Sequence, residues 1–223
     1  MSLENRYNSV KTRLLKSKSK SQVTQNVDLL AVSKKHSAGK IRQLYQLGQR
    51  MFGESYLQES LEKMQALDDL AIEWHFIGPI QSNKTRLIAE NFSWVQSVDS
   101  LKLLTRLNKQ RKPDLLPLNV LLQLKVGGEQ SKRGLQEGEL LELLKQHKDF
   151  PQLAIRGLMS IPSPQKSEKE QRKQFDYCQK TFLKMNEILA VDTLSIGMST
   201  DLEAAIACGS TMVRVGTDIF GSR

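Results

Sequence analysis

Short apolar runs, each ending at a polar or glycine-containing break and each followed by a segment of helical period, recur about eight times along this chain, and nothing else restricts its fold as tightly. Such alternation is the mark of a parallel sheet, because parallel neighbours need a crossover of a dozen or more residues between them. The runs are Val27 to Lys34, Met51 to Gly53, Glu73 to Gly78, Trp94 to Val98, Asn119 to Val126, Ala154 to Ile161, Thr193 to Met198 and Met212 to Gly216. Eight units without a composition shift or long linker predict one α/β domain, a single (β/α)8 TIM barrel over residues 1–223. A doubly wound open sheet is the runner-up, since a sequence does not reveal strand order. Few residues follow the eighth run, so an N-terminal helix carrying Leu3, Tyr7, Val10 and Leu14 is expected to complete the outer ring, with Lys16 to Gln25 read as a loop.

The intervening segments carry helix signals. Ile41, Leu44 and Tyr45 share a face that ends near Gly48, a C-cap glycine. Ser55 with Gln58 resembles a capping box ahead of the stripe Leu57, Leu61 and Met64. Phe175, Cys178, Phe182, Met185 and Leu189 recur at three and four, which reads as core.

Composition excludes several classes of function. With 39% hydrophobic and 26% charged residues, the chain can bury a sizeable core. Cys178 and Cys208 are too few for a disulfide framework, no run is long enough to span a bilayer, and the first residues lack a signal peptide's apolar core. A cytoplasmic protein is expected. The net charge of +9 favours anionic partners, a phosphorylated ligand or a nucleic acid. No aromatic-rich basic patch or recognition motif supports the nucleic acid.

In a barrel, function gathers at the carboxyl ends of the strands, with phosphate at the loops after strands seven and eight. Lys34 at the end of the first run is placed for chemistry more than for folding, although it could also snorkel into solvent beside Lys35. Gly197-Met198-Ser199-Thr200, leading into a helix at Asp201, and Val215-Gly216-Thr217 are both suited to an anion, yet each taken alone is an ordinary turn. Arg214 interrupts Met212-Val213-Arg214-Val215, where a charge needs either a ligand or a carboxylate such as Asp201 or Glu203. His75, within a strand, reads as a hydrogen-bonded core histidine before a site residue, and His36 and His147 lack metal-ligand spacing.

These segments, namely Ala31-Val32-Ser33-Lys34, Phe52-Gly53-Glu54, Trp74 through Lys84, Arg156-Gly157-Leu158-Met159, Gly197-Met198-Ser199 and Val213 through Thr217, resemble the YggS/PROSC family of pyridoxal phosphate homeostasis proteins. Ser55 stands where that family usually has Asn. The resemblance implies a barrel like that of alanine racemase, of fold type III, with pyridoxal 5′-phosphate (PLP) as cofactor in a Schiff base to Lys34. It implies Ser199, Gly216 and Thr217 on the phosphate and Arg214 near the pyridine nitrogen. It also touches Glu129-Gln130-Ser131-Lys132-Arg133-Gly134, where Lys132 is either a second amine near the site or loop surface.

A lysine attacks an aldehyde only as the free amine, so its pKa must fall from about 10.4, and Lys35 or Arg214 could supply a cationic neighbour for this. The function expected is non-catalytic cofactor binding, buffering or delivery by a monomer, with PLP-dependent apoenzymes as partners, no nucleic acid and no membrane. The alternative is a PLP-dependent, racemase-like enzyme. The chain's end just past strand eight leaves no residues for the second domain that supplies a racemase's other base, which favours the carrier.

Overall fold

The computed structural model describes residues 1–22, 24–127, 133–163 and 167–222. Its elements run α1 (Leu3–Lys20), β1 (Asp28–Val32), α2 (Ala38–Gln46), β2 (Met51–Glu54), α3 (Leu57–Ala66), β3 (Glu73–Phe76), α4 (Thr85–Asn91), β4 (Trp94–Val98), α5 (Leu101–Gln110), β5 (Leu118–Gln123), α6 (Glu137–Lys145), β6 (Leu153–Met159), α7 (Glu168–Ile188), β7 (Thr193–Ser195), α8 (Leu202–Ala207), β8 (Met212–Val215) and α9 (Thr217–Phe220). All eight strands are parallel and close into a barrel in chain order, β8 returning to β1 with Leu30 beside Arg214 and Ala31 beside Val215. The open-sheet alternative falls on that closure.

Strand alternation divides the side chains between the barrel interior and the layer beneath the helices. Leucine, isoleucine, valine and phenylalanine fill that layer in one continuous core that extends from Tyr7 to Phe220. The strands are shorter than the apolar runs: β1 stops at Val32 and β5 at Gln123, because residues beyond these points turn into the loops that build the upper mouth.

The helix α1 packs on α2, α8 and α9 and so occupies the gap in the outer ring. It continues to Lys20, through residues expected as loop. Ser17 is buried and returns its hydroxyl to the Arg13 carbonyl, and Lys18 and Lys20 suit the negative end of the helix dipole. Tyr7 donates its hydroxyl to Gln49 Oε1 at 3.1 Å, while Gln49 Nε2 donates to the carbonyls of Leu29 and Met51, both at 2.7 Å. One buried amide thus joins α1 to the first two strands.

The capping box expected at Ser55 is absent; α3 starts after Tyr56 without a side-chain cap. Its fully buried residues are Ser60 and Lys63, while Leu57, Leu61 and Met64 are half-buried. The long α7 buries Phe175, Cys178 and Met185 as expected but Thr181 in place of Phe182 and Leu189, which lie partly exposed.

If α1 belongs to the barrel's core, Tyr7→Ala should lose about 3 kcal/mol in urea denaturation. Leu15→Ala, on the same helix but 64% exposed, should change stability by less than about 0.5 kcal/mol. Equal small losses would show that α1 is only loosely attached.

Candidate functional site at the upper mouth of the barrel

Lys34 lies two residues past β1, in a turn, with its side chain half-buried. Ser33 extends the ladder by donating its N–H to Gly53 at 3.0 Å, and His36 closes the turn onto the Ser33 carbonyl at 3.0 Å. Between them Lys35 adopts a left-handed φ of 63°. A non-glycine residue adopts that conformation uncommonly.

The fixing groups are charged, two of them, Lys63 and Glu54, buried and the third, Glu59, half-buried. The Lys63 ammonium, from α3, donates to the Ser33 carbonyl at 2.9 Å, to Glu54 Oε1 at 2.7 Å and to Glu59 Oε1 at 2.6 Å. Glu54 Oε1 also accepts the Ser33 hydroxyl at 2.7 Å, and Glu59 Oε1 accepts the Lys35 N–H at 2.5 Å. The two peptide groups that flank Lys34 are therefore both bonded within one ionic knot. Burial pushes the Glu54 carboxyl above its ordinary range, against the opposing bonds from Lys63 and Ser33. Next to the knot, His36 stacks on Phe220 at 4.8 Å and 14°, which ties the turn to α9. Lys35, read from sequence as a cationic neighbour, places its ammonium over the Tyr56 ring.

The loop after β8 packs beside the end of β1 that carries this turn, and Arg13 links it to the loop after β7. Gly197 has a φ of +93°, and a Cβ there would come within 2.5 Å of the Ala205 Cβ, so the loop must begin with glycine. A Cβ on Gly216 would stand 3.3 Å from the Val32 carbonyl oxygen, which measures how closely the end of β8 packs on the end of β1. Both helices that follow are short, six residues in α8 and four in α9, and Asp201 spends a carboxylate oxygen on the Met198 N–H at 2.5 Å. The expected dipole contribution is accordingly small, and the loops' own amides and the hydroxyls of Ser199 and Thr217 are what they offer an anion. Arg13 of α1 holds the two loops together. It donates to the Ser199 carbonyl at 2.9 Å and pairs with Glu203 at 2.8 Å and Asp218 at 2.5 Å.

Arg214 points into the barrel and is 4% exposed. Its guanidinium donates to the Ser195 carbonyl at 2.6 Å, the Ser195 hydroxyl at 2.8 Å and the Ser160 carbonyl at 2.8 Å. The carboxylate alternatives fail: Glu203 is taken by Arg13, and Asp201 reaches Arg214 only through its field. With neutral partners alone, burial brings the arginine down to about 10. The Ser195 hydroxyl donates to Gln96 Oε1 at 2.8 Å, Gln96 Nε2 lies 3.0 Å from His75 Nδ1, and His75 Nε2 lies 2.9 Å from Glu73. His75 is thus the core histidine expected, and burial lowers its pKa.

Lys34 opens on a cavity of about 610 Å³ whose walls include Phe76 and Ile77 with Ser55, Gln58, Gln81 and Lys84. Ser199, Gly216 and Thr217 reach the same mouth but do not line that cavity. Lys132 lies outside the described residues. Sequence reading missed Glu54 as a partner, Lys63, Gln96, Ser195 and Arg13. Two of these left a trace: Gln96 and Ser97 interrupt a buried strand, and Glu59 and Lys63 stand at ion-pair spacing on a helix.

The family model for the alanine racemase N-terminal domain matches residues 9–223. A pyridoxal phosphate homeostasis protein of Haemophilus influenzae is 49% identical over 202 residues, covering 88% of this chain and 85% of that protein. One of Pseudomonas aeruginosa is 52% identical over 197 residues, with 88% and 85% covered. Among solved structures, PipY of Synechococcus elongatus PCC7942 with PLP bound superposes with a TM-score of 0.87 at 34% identity, covering 99% of this chain and 100% of that one. Alanine racemase of Clostridium difficile 630 shares the fold, with a TM-score of 0.74 at 15% identity over 99% of this chain and 56% of that one.

The raised Glu54 carboxyl makes a prediction about pH. A carboxyl that keeps its proton to higher pH when folded than when unfolded, where its ordinary value is 4.5, contributes stability that is full below the unfolded value and lost as pH rises through the folded one. The stability of the wild type relative to Glu54→Gln should therefore decline as the pH rises above the ordinary value of 4.5. Chemical denaturation at several pH values checks this, and a difference that rises with pH would contradict it.

Proposed function

We propose, from the premise that this chain belongs to the alanine racemase N-terminal domain family and to its pyridoxal phosphate homeostasis branch, that it binds pyridoxal 5′-phosphate through Lys34 and works in the cell's handling of that cofactor. The observation that carries the reading is the turn of Lys34: an amine at the upper mouth of a barrel, with both flanking peptide groups bonded to the cluster of Lys63, Glu54 and Glu59, beside a cavity that Ser199, Gly216 and Thr217 do not line.

The donor set fits the cofactor. When bound, PLP supplies an aldehyde that a free amine can attack. Lys34 is assigned that attack, with its backbone held so that the side chain has one direction of approach. Ser199, Gly216 and Thr217 are assigned the phosphate, the glycine because it leaves backbone uncovered beside Val32. Arg214 is assigned the ring nitrogen, where a fixed cation opposes protonation of the ring. The relatives' shared name supports a part in pyridoxal phosphate homeostasis; the role proposed within it is holding and delivery, with PLP-dependent apoenzymes as the receivers and the cytoplasm as the compartment.

Borohydride reduction of the PLP-loaded protein should leave the label on Lys34 in a peptide map, and Lys34→Ala should lose both the label and the visible absorbance band. A label on another lysine would overturn the assignment. Ser199→Ala removes a hydrogen bond to a charged group, worth roughly 1.5–3 kcal/mol, and should raise the dissociation constant about 10- to 100-fold with the melting temperature unchanged. Rapid α-hydrogen exchange of amino acids in deuterated water, abolished by Lys34→Ala, would favour an enzyme instead.

A further inference from the structure

We infer that Gln96 is a positioning residue for Arg214, acting through the Ser195 hydroxyl, and that His75 and Glu73 set the direction of its amide from the opposite end of the barrel. The inference rests on the reading that Arg214 faces the cofactor. Its ground is that the hydrogen bonds permit one consistent direction.

Arginine only donates, so the Ser195 hydroxyl oxygen accepts from Arg214 Nη1 at 2.8 Å and keeps its own proton for another partner. That partner is Gln96 Oε1 at 2.8 Å. With its oxygen so used, Gln96 turns its NH₂ toward His75 Nδ1 at 3.0 Å and Met212 Sδ at 3.2 Å. Nδ1 accepts only if bare, which puts the single ring proton on Nε2, where Glu73 Oε1 waits at 2.9 Å. Trp94 stacks on the imidazole at 5.1 Å and 9° and holds its plane. Every donor in the run meets an acceptor. Reversing Gln96 would leave the Ser195 proton without its acceptor and turn the amide oxygen toward the bare Nδ1 of His75, in a fully buried place where such a mismatch is costly.

The consequence reaches Arg214 because no carboxylate bonds to it among the described residues. Of its acceptors, two are backbone carbonyls fixed by the strands, and the third is the rotatable Ser195 hydroxyl. An Ser195 proton without an acceptor would turn the hydroxyl and loosen Nη1.

The test compares Gln96→Leu with Gln96→Glu. Glutamate keeps an acceptor for the Ser195 proton and accepts a second hydrogen bond, at its other oxygen, from a doubly protonated His75, so that the added negative charge is paired on the side away from the arginine; leucine leaves the arginine end without its acceptor. In PLP-loaded protein, Gln96→Leu should release cofactor at least about tenfold faster and shift the visible band, while Gln96→Glu should stay within about threefold of wild type even if its melting temperature drops. Wild-type release from Gln96→Leu, or equal acceleration in both variants, would overturn the inference. A second readout needs no cofactor: nitrogen NMR of the unloaded protein should place the His75 proton on Nε2 in wild type and on both nitrogens in Gln96→Glu. A wild-type proton on Nδ1 would overturn the relay. A wild type that takes up no PLP would instead sink the reading of the site, and the NMR result would still decide the relay.

Discussion

The ammonium of Lys63, buried between α3 and the end of β2, is the contact on which the architecture of the site depends. A charge in that position is expensive unless it is paired and fully bonded, and here each of its donors has an oxygen: Ser33, Glu54 and Glu59. Such a knot adds little to net stability, because desolvation offsets most of the attraction. What it supplies is direction. A carbonyl and an N–H on either side of Lys34 are bonded to groups that cannot move without leaving a charge stranded, and Lys35 accepts its left-handed backbone as a result.

The second constraint is barrel closure. Because β8 pairs with β1, the loop holding Gly216 and the turn holding Lys34 become neighbours although they lie at opposite ends of the sequence. The helix α1 reinforces this from outside, since a single guanidinium, that of Arg13, bonds to the loop after β7 and to carboxylates on α8 and α9. Inside the barrel, the acceptors that hold Arg214 among the described residues are serine oxygens, and Asp201 acts on it only through its field. A neutral set of acceptors compensates its charge less than a directly bonded carboxylate would.

The fold was legible because burial on both faces of a parallel strand leaves an unmistakable apolar run, and eight of these alternating with helices admit few architectures. Lys34 and Arg214 were legible for the opposite reason, as charges where such runs should be apolar. Lys63 was not. The usual amphipathic reading assigns the apolar side of α3 to the core, through Leu57, Leu61 and Met64, but the helix lies over the carboxylate end of β2 and turns Ser60 and Lys63 inward to meet Glu54. That preference comes from a partner strand, and helix periodicity carries no information about it. Gln96 was similarly hidden, since a polar residue in a buried strand announces a network without naming its members. Helix ends were misplaced where burial of a small polar residue, as with Ser17, continued a helix past its apolar stripe.

The central claim is that the ionic knot presents Lys34, and the rate of the PLP attachment proposed for Lys34 tests it most directly. Lys63→Met keeps the length of the side chain and removes the charge. Stopped-flow absorbance of cofactor attachment, read beside circular dichroism to confirm a folded barrel, should show attachment slowed at least about tenfold, in line with the loss of a pre-set approach. Attachment at the wild-type rate in a folded Lys63→Met protein would contradict the account.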